Sequence, residues 1–173
     1  MDKDQPMPEP GRATAGPPTP ERVTAVLSND LMRFGYRIGY LAQLFTGPIY
    51  RGLSEQHGVG RPEWVVLFCA AHFETLTAQE VGQMTGRAKA NISRAVNKLI
   101  RMGLLRREPN PDDARSGLIR VTQAGRALFE VTVKPFALRE EAMLSVLTPQ
   151  ERVQFDALLT KLTNRSDGWD APY

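Results

Sequence analysis

Seven cationic side chains, Arg87, Lys89, Arg94, Lys98, Arg101, Arg106 and Arg107, fall within 21 residues, and residues 81–107 contain no acid. Guanidinium and ammonium groups gathered without carboxylates are suited to holding phosphates. The whole chain has 22 Lys+Arg and 19 Asp+Glu, so without these seven it would stand at 15 against 19. The excess positive charge is therefore local. Asn91, Ser93 and Asn97 are interleaved with it, and such side chains can donate to or accept from base edges.

Other chemistries find little support. There is one cysteine, Cys69, and hence no internal disulfide framework. His57 and His72 have no cysteine cluster between them, and Cys69 with His72 offers two ligands on one helix face, too few for a metal site. No phosphate loop, nucleophile elbow or pair of catalytic carboxylates is present, so neither a catalytic residue nor a cofactor is expected. The longest apolar run, Trp64 to Ala71, is eight residues and far short of a membrane span. The chain opens MDKDQP, without a basic-then-apolar leader, and a cytoplasmic protein is expected.

The elements that must position the basic stretch follow from periodicity and capping. Six of the 13 prolines lie in residues 1–20, and residues 1–24 are assigned to a disordered, Pro-rich tail. A long helix is expected from about Ser28, with Leu31, Phe34, Ile38, Leu41 and Phe45 in one apolar stripe. Near Pro48 it should give way to a shorter helix reaching Gly58. Pro62 opens a helix whose apolar residues run almost all round it, which makes it central.

Thr77-Ala-Gln-Glu80 is a capping box for the next helix, and Thr85–Gly86 turns the chain into the basic helix, Ala88 to Met102. Gly103 supplies its left-handed end. Strands at Leu104–Glu108 and Leu118–Thr122 are joined by a turn-rich tip. Thr122 begins a long helix in which Pro135 should produce a kink, and the capping box Thr148-Pro149-Gln-Glu151 starts the last helix, ending near Asn164. The expected division is a tail over 1–24, a folded domain over 25–165 with its DNA-binding part at 61–125, and a tail over 166–173.

On a helical projection, Ala88, Ile92, Ala95, Val96, Leu99 and Met102 take the inner side of the basic helix. Ala90, Asn91, Ser93, Arg94, Asn97, Lys98 and Arg101 take the outer side. Together with Thr77, Arg87, Lys89, Asp113 and Arg115, these outer residues are the candidate DNA contacts.

In this order the motifs resemble a known family. Gly86-Arg-Ala-Lys-Ala-Asn-Ile-Ser-Arg94, then Val96, Leu99 and Gly103-Leu104-Leu105-Arg106-Arg107, are similar to the recognition helix and first wing strand of multiple-antibiotic-resistance-regulator (MarR) proteins. Asp113-Ala-Arg115 matches that family's Asp-x-Arg wing signature, and Val121-Thr-Gln-Ala-Gly125 its strand-to-helix junction. The likeness covers about residues 28–163 in layout. It implies a mainly α fold with a small β wing: a winged helix–turn–helix with long amino- and carboxy-terminal dimerisation helices. Ala88 departs from the pattern, standing where a capping Ser or Thr is frequent, an absence that costs about 1 kcal/mol.

The resemblance further implies double-stranded DNA as a partner, a homodimer on a palindromic operator, and a small-molecule effector that releases a repressor. Arg33, Tyr36, Arg37, Tyr40, Trp64, Phe68 and His72 are candidates to line the effector pocket, with arginine among aromatics suiting an aromatic carboxylate. Apolar positions of the last two helices, including Leu144, Leu147, Phe155, Leu158 and Leu162, exceed what a small winged domain can cover. An intrachain helical cap would also use them. Two other readings stay open at this point: a redox regulator acting through Cys69, and a winged helix that binds proteins rather than DNA.

Overall fold

The computed structural model describes residues 19–28, 32–111, 113 and 116–165. Along them run helices α1 (Pro20–Leu27), α2 (Arg33–His57) and α3 (Arg61–His72), strand β1 (Leu76–Thr77), helices α4 (Ala78–Thr85) and α5 (Lys89–Arg101), strands β2 (Leu105–Pro109) and β3 (Gly117–Val121), and helices α6 (Gln123–Leu144) and α7 (Pro149–Thr163). The fold is mainly helical with a small antiparallel sheet ordered β1-β3-β2. Arg106 faces Arg120 and Arg107 faces Ile119 across the β2–β3 pair. The chain divides into two units, residues 1–42 and 43–173, with the boundary inside α2.

Within residues 43–173, α3 is the central element. Trp64, Val66, Leu67, Cys69 and Ala70 are buried on it, in one core with Ile49, Leu53, Val81, Leu99, Leu105, Ile119 and Phe136. The buried Trp64 donates from Nε1 to the Thr132 hydroxyl at 3.1 Å, and that hydroxyl donates to the Leu128 carbonyl at 2.8 Å. Burying an indole and a hydroxyl is tolerable here because each polar atom has a partner.

Both capping boxes form. Thr77 and Thr148 accept from the backbone N–H of Glu80 and Glu151, whose carboxylates take the cap N–H in return. At the head of α3 there is no capping side chain, and Glu63 alone accepts from the Gly60 N–H at 2.9 Å. Gly86 and Gly103 close α4 and α5 with φ of 62° and 72°, values that L side chains rarely adopt.

Several expectations are corrected. Residues 20–24, assigned to the tail, belong to α1, where Pro20 at the first helical position and Glu21 in the first turn favour a helix start. Ser28 closes α1, and the long helix begins at Arg33; Leu31 lies outside the described residues. Pro48 does not divide that helix. Proline cannot donate to the carbonyl four residues back, and the Leu44 carbonyl receives Arg139 Nη2 at 2.8 Å instead. At Pro135 the expectation was a kink rather than a break, and α6 runs through it as one helix. The strand β1 has no counterpart in the sequence reading, because two residues are too few to show a period of two.

The junction of β3 and α6 is tightly fixed. Thr122 caps α6 by accepting from the Gly125 N–H at 3.0 Å, while its own N–H reaches the Leu104 carbonyl at 3.1 Å. A Cβ at Gly125 would lie 2.1 Å from that carbonyl oxygen. Backbone must therefore move for any larger residue. Gly125→Ala is expected to cost about 1–3 kcal/mol, read as a lower midpoint in urea with an unchanged slope.

Candidate nucleic-acid interface

α4, the turn at Gly86 and α5 form a helix–turn–helix, with β2 and β3 as the wing. α5 is anchored by Ile92, Ala95, Val96 and Leu99, all buried. Lys89, Ala90, Asn91, Arg94, Asn97 and Arg101 are exposed, while Arg87, Ser93 and Lys98 are partly so. Two residues assigned inward, Ala88 and Met102, are exposed because they cap the helix rather than belong to it. Ala88 makes no side-chain cap, as its methyl group requires.

Each candidate contact has a definite setting. The Thr77 hydroxyl is engaged twice, accepting from the Glu80 N–H at 3.2 Å and donating to the Glu80 carboxylate at 2.8 Å. The backbone N–H and hydroxyl of Thr77 hold that carboxyl below its usual range. Thr77 thus sets the start of α4 rather than offering a free hydroxyl.

The Lys98 ammonium lies 3.5 Å from Glu63 on α3. A helical projection of α5 alone cannot register an acid delivered by a packed neighbour. Arg94 Nη2 donates to Asn91 Oδ1 at 2.5 Å, and Arg107 Nη2 donates to Asn97 Oδ1 at 3.3 Å.

Arg107 is a residue the candidate contacts omitted. It belongs to β2, yet it reaches α5, and its side chain passes over Gly117 so closely that a Cβ there would lie 2.8 Å from Arg107 Cδ. Its place in the seven-residue basic cluster was the available signal. Arg106, one residue earlier, takes the other face of the strand. There Glu108 sits between Arg106 at 2.9 Å and Arg120 at 3.2 Å, and Arg120 also reaches Glu74 at 2.9 Å.

Near the wing tip, Asn110 Nδ2 donates to the Ser116 hydroxyl at 2.9 Å, and the Ser116 N–H donates to the Asp113 carbonyl at 3.1 Å. These bonds close the ends of the hairpin loop. Arg115 lies outside the described residues.

The candidate effector residues fall into the two units. In residues 1–42, Arg37 donates from Nε to the Leu27 carbonyl at 2.9 Å. Thr24, Leu27, Arg37, Tyr40 and Leu41 line a cleft of about 320 Å³, and Tyr36 with Tyr40 lines another of about 250 Å³. Arg33 stands over the Phe34 ring at 5.1 Å.

In residues 43–173, Trp64, Phe68 and His72 form an aromatic row along α3. Trp64 stacks on Phe136 with centroids 4.1 Å apart, Phe68 meets His72 at 4.3 Å, and His72 meets the Phe129 edge at 5.6 Å. Trp64 is core packing, whereas Phe68 and His72 are exposed.

Cys69 is buried, and its burial pushes the thiol's pKa up. A reactive thiol needs the reverse, an exposed and electropositive setting. Among the described residues, no three His, Cys, Asp or Glu converge on a possible metal position, and no helix is long and apolar enough to cross a membrane.

Comparison with known proteins gives the same architecture. Residues 57–116 match the family model described as the MarR family. Over 108 residues the chain is 31% identical to YkoM of Bacillus subtilis (strain 168), an uncharacterized HTH-type transcriptional regulator, covering 62% of this chain and 70% of that protein.

A MarR/EmrR family transcriptional regulator from Acinetobacter sp. ADP1 superposes with a TM-score of 0.69 at 27% identity, over 81% of this chain and 99% of that one. Bordetella bronchiseptica BpsR, whose DNA binding is regulated by 6-hydroxynicotinic acid, shares the fold with a TM-score of 0.66 at 24% identity, over 78% and 96% of the two chains. With the basic helix, the wing and the β3–α6 junction all in place, the chain belongs to the MarR family of helix–turn–helix transcriptional regulators.

Proposed function

We propose that this regulator acts as a homodimeric repressor, in which each protomer lays α5 in the major groove of one operator half-site and a small ligand releases it. One observation carries the reading. The face of α5 opposite its buried anchors exposes Lys89, Asn91, Arg94, Asn97 and Arg101 with no carboxylate among them. Such a face holds phosphates and meets base edges, and acidic neighbours would repel the backbone it needs. Binding of an acidic protein surface instead would not require the amides that alternate with the cations.

Dimerisation is supported by apolar surface that the single chain leaves uncovered. Leu138 on α6 is 74% exposed, Val153 on α7 is 71% exposed, and no residue of α7 is buried. A two-fold dimer would present two α5 helices about one DNA turn apart. Release by a ligand is supported by the BpsR relative, and the arginine- and tyrosine-lined clefts of residues 20–41 suit a small aromatic acid. The corresponding division counts α1 with the dimerising winged domain, which runs to residue 165 and has its DNA-binding part at 61–125, in a protein working in the cytoplasm. The buried thiol of Cys69 does not favour redox control.

Retardation gels on fragmented genomic DNA, with recovery and sequencing of bound fragments, test this function. Enrichment of a short palindromic site is expected; recovery of random fragments only, or none, overturns it. The wing adds a separate test. Arg115 carries an extended, permanent charge that a narrow A·T-rich minor groove attracts. Arg115→Ala is expected to weaken binding most on operators with A·T-rich flanks and to lower the salt dependence by about one phosphate contact. Asp113→Ala should give a smaller defect in the same direction. Isotherms at several salt concentrations, on operators differing only in their flanks, separate the two.

A further inference from the structure

Two asparagines on the exposed face of α5 have their amide oxygens taken by arginines. Asn91 Oδ1 accepts from Arg94 and Asn97 Oδ1 accepts from Arg107. Arginine carries donors only, so the amide atom that meets it must be the oxygen, which fixes the orientation of both amides. What each asparagine has left to offer on its other branch is an NH2 donor. Lys89 and Arg101 add further donors, and the Thr77 hydroxyl is already engaged within its cap.

In the major groove adenine is read through its N6 amino group, a donor, together with N7, and the side chain that does this must present an amide oxygen beside an amide NH2. Here a guanidinium takes one of the two lone pairs of that oxygen and sets its own N–H donors beside the other, so an approaching amino group meets hydrogens of the same polarity. Guanine shows two adjacent acceptors, N7 and O6.

We propose that Arg94–Asn91 and Arg107–Asn97 act as two donor-only reading units, which select half-sites through guanine N7 and O6 and leave adenine N6 unread. Arg107, on the wing strand, is then a specificity-determining residue that acts by orienting Asn97. The proposal rests on the DNA-binding reading given above.

The test uses the full-length protein and duplexes selected by it from a random-sequence pool. Each purine recurring in the selected half-site is replaced in turn, guanine by 7-deazaguanine and adenine by purine, which lacks the 6-amino group. At least one 7-deazaguanine per half-site is expected to weaken binding about fivefold or more, and purine for adenine to change it less than about twofold. Arg107→Ala should shift the selection, admitting adenine at one position of each half-site because the Asn97 oxygen is freed.

A fivefold loss on removing an adenine amino group overturns the proposal while leaving DNA binding intact. So does an Arg107→Ala protein that binds all sites uniformly more weakly with unchanged base preference, the behaviour of a phosphate contact. Failure to select any sequence overturns the DNA-binding reading itself, and this inference with it.

Discussion

Ending the chain at Thr148 is expected to yield a folded monomer whose operator affinity falls at least about 100-fold, the loss typical when two linked contacts become one. The removed segment holds all of α7, which contributes nothing to the core of its own chain. Two polar attachments join it to α6: Arg152 donates to the Leu144 carbonyl at 3.1 Å and pairs with Glu141 at 2.9 Å. The core built on α3 therefore keeps every buried residue. What the truncation removes is the apolar set Val153, Phe155, Leu158, Leu159 and Leu162, all exposed in the single chain. Burying one such side chain is worth about 1.5–3 kcal/mol, so several per protomer make a substantial interface. Sedimentation velocity and circular dichroism read the two halves of the expectation. A truncated chain that remains dimeric places the interface elsewhere, and one that unfolds assigns α7 to intrachain support.

Substitution on α5 is expected to act oppositely, sparing assembly and removing affinity. Arg94→Ala and Asn91→Ala should each weaken operator binding by about 1–3 kcal/mol, roughly 5- to 150-fold at 1.4 kcal/mol per factor of ten. Both side chains are exposed and neither joins the core, so circular dichroism and the dimer should be unchanged. Arg94 hydrogen-bonds to Asn91. The double variant should therefore lose less than the sum of the single losses, as residues in one network do. Operator affinity unchanged in both single variants would remove α5 from the interface.

The parts of the fold legible in the sequence were those governed by local rules. Thr77–Glu80 and Thr148–Glu151 announce helix starts because a cap and its reciprocal carboxylate lie three residues apart. Gly103 announces a stop because few other residues tolerate a positive φ. The buried and exposed sides of α5 follow from one helical period, except at the cap positions Ala88 and Met102.

What escaped depends on distant partners. Pro48 signals a break, but Arg139 comes from 91 residues further on to take the carbonyl that Pro48 leaves free. Lys98 belongs by spacing to the outer face, yet Glu63 draws it to α3. Arg107 is a strand residue by position and a partner of α5 by geometry. β1 exists only because β3 pairs with it, Leu76 against Ile119. Tertiary contact, not propensity, decides each of these.

Titrating one selected operator duplex and one scrambled duplex of equal length, at physiological salt, tests sequence-specific recognition by two copies of α5 most directly. The expected result is saturation at two chains per operator, with affinity at least about 1,000-fold above that for the scrambled duplex, the lower end for specific regulators. Equal affinity for the two duplexes, or saturation at one chain per operator, would contradict it.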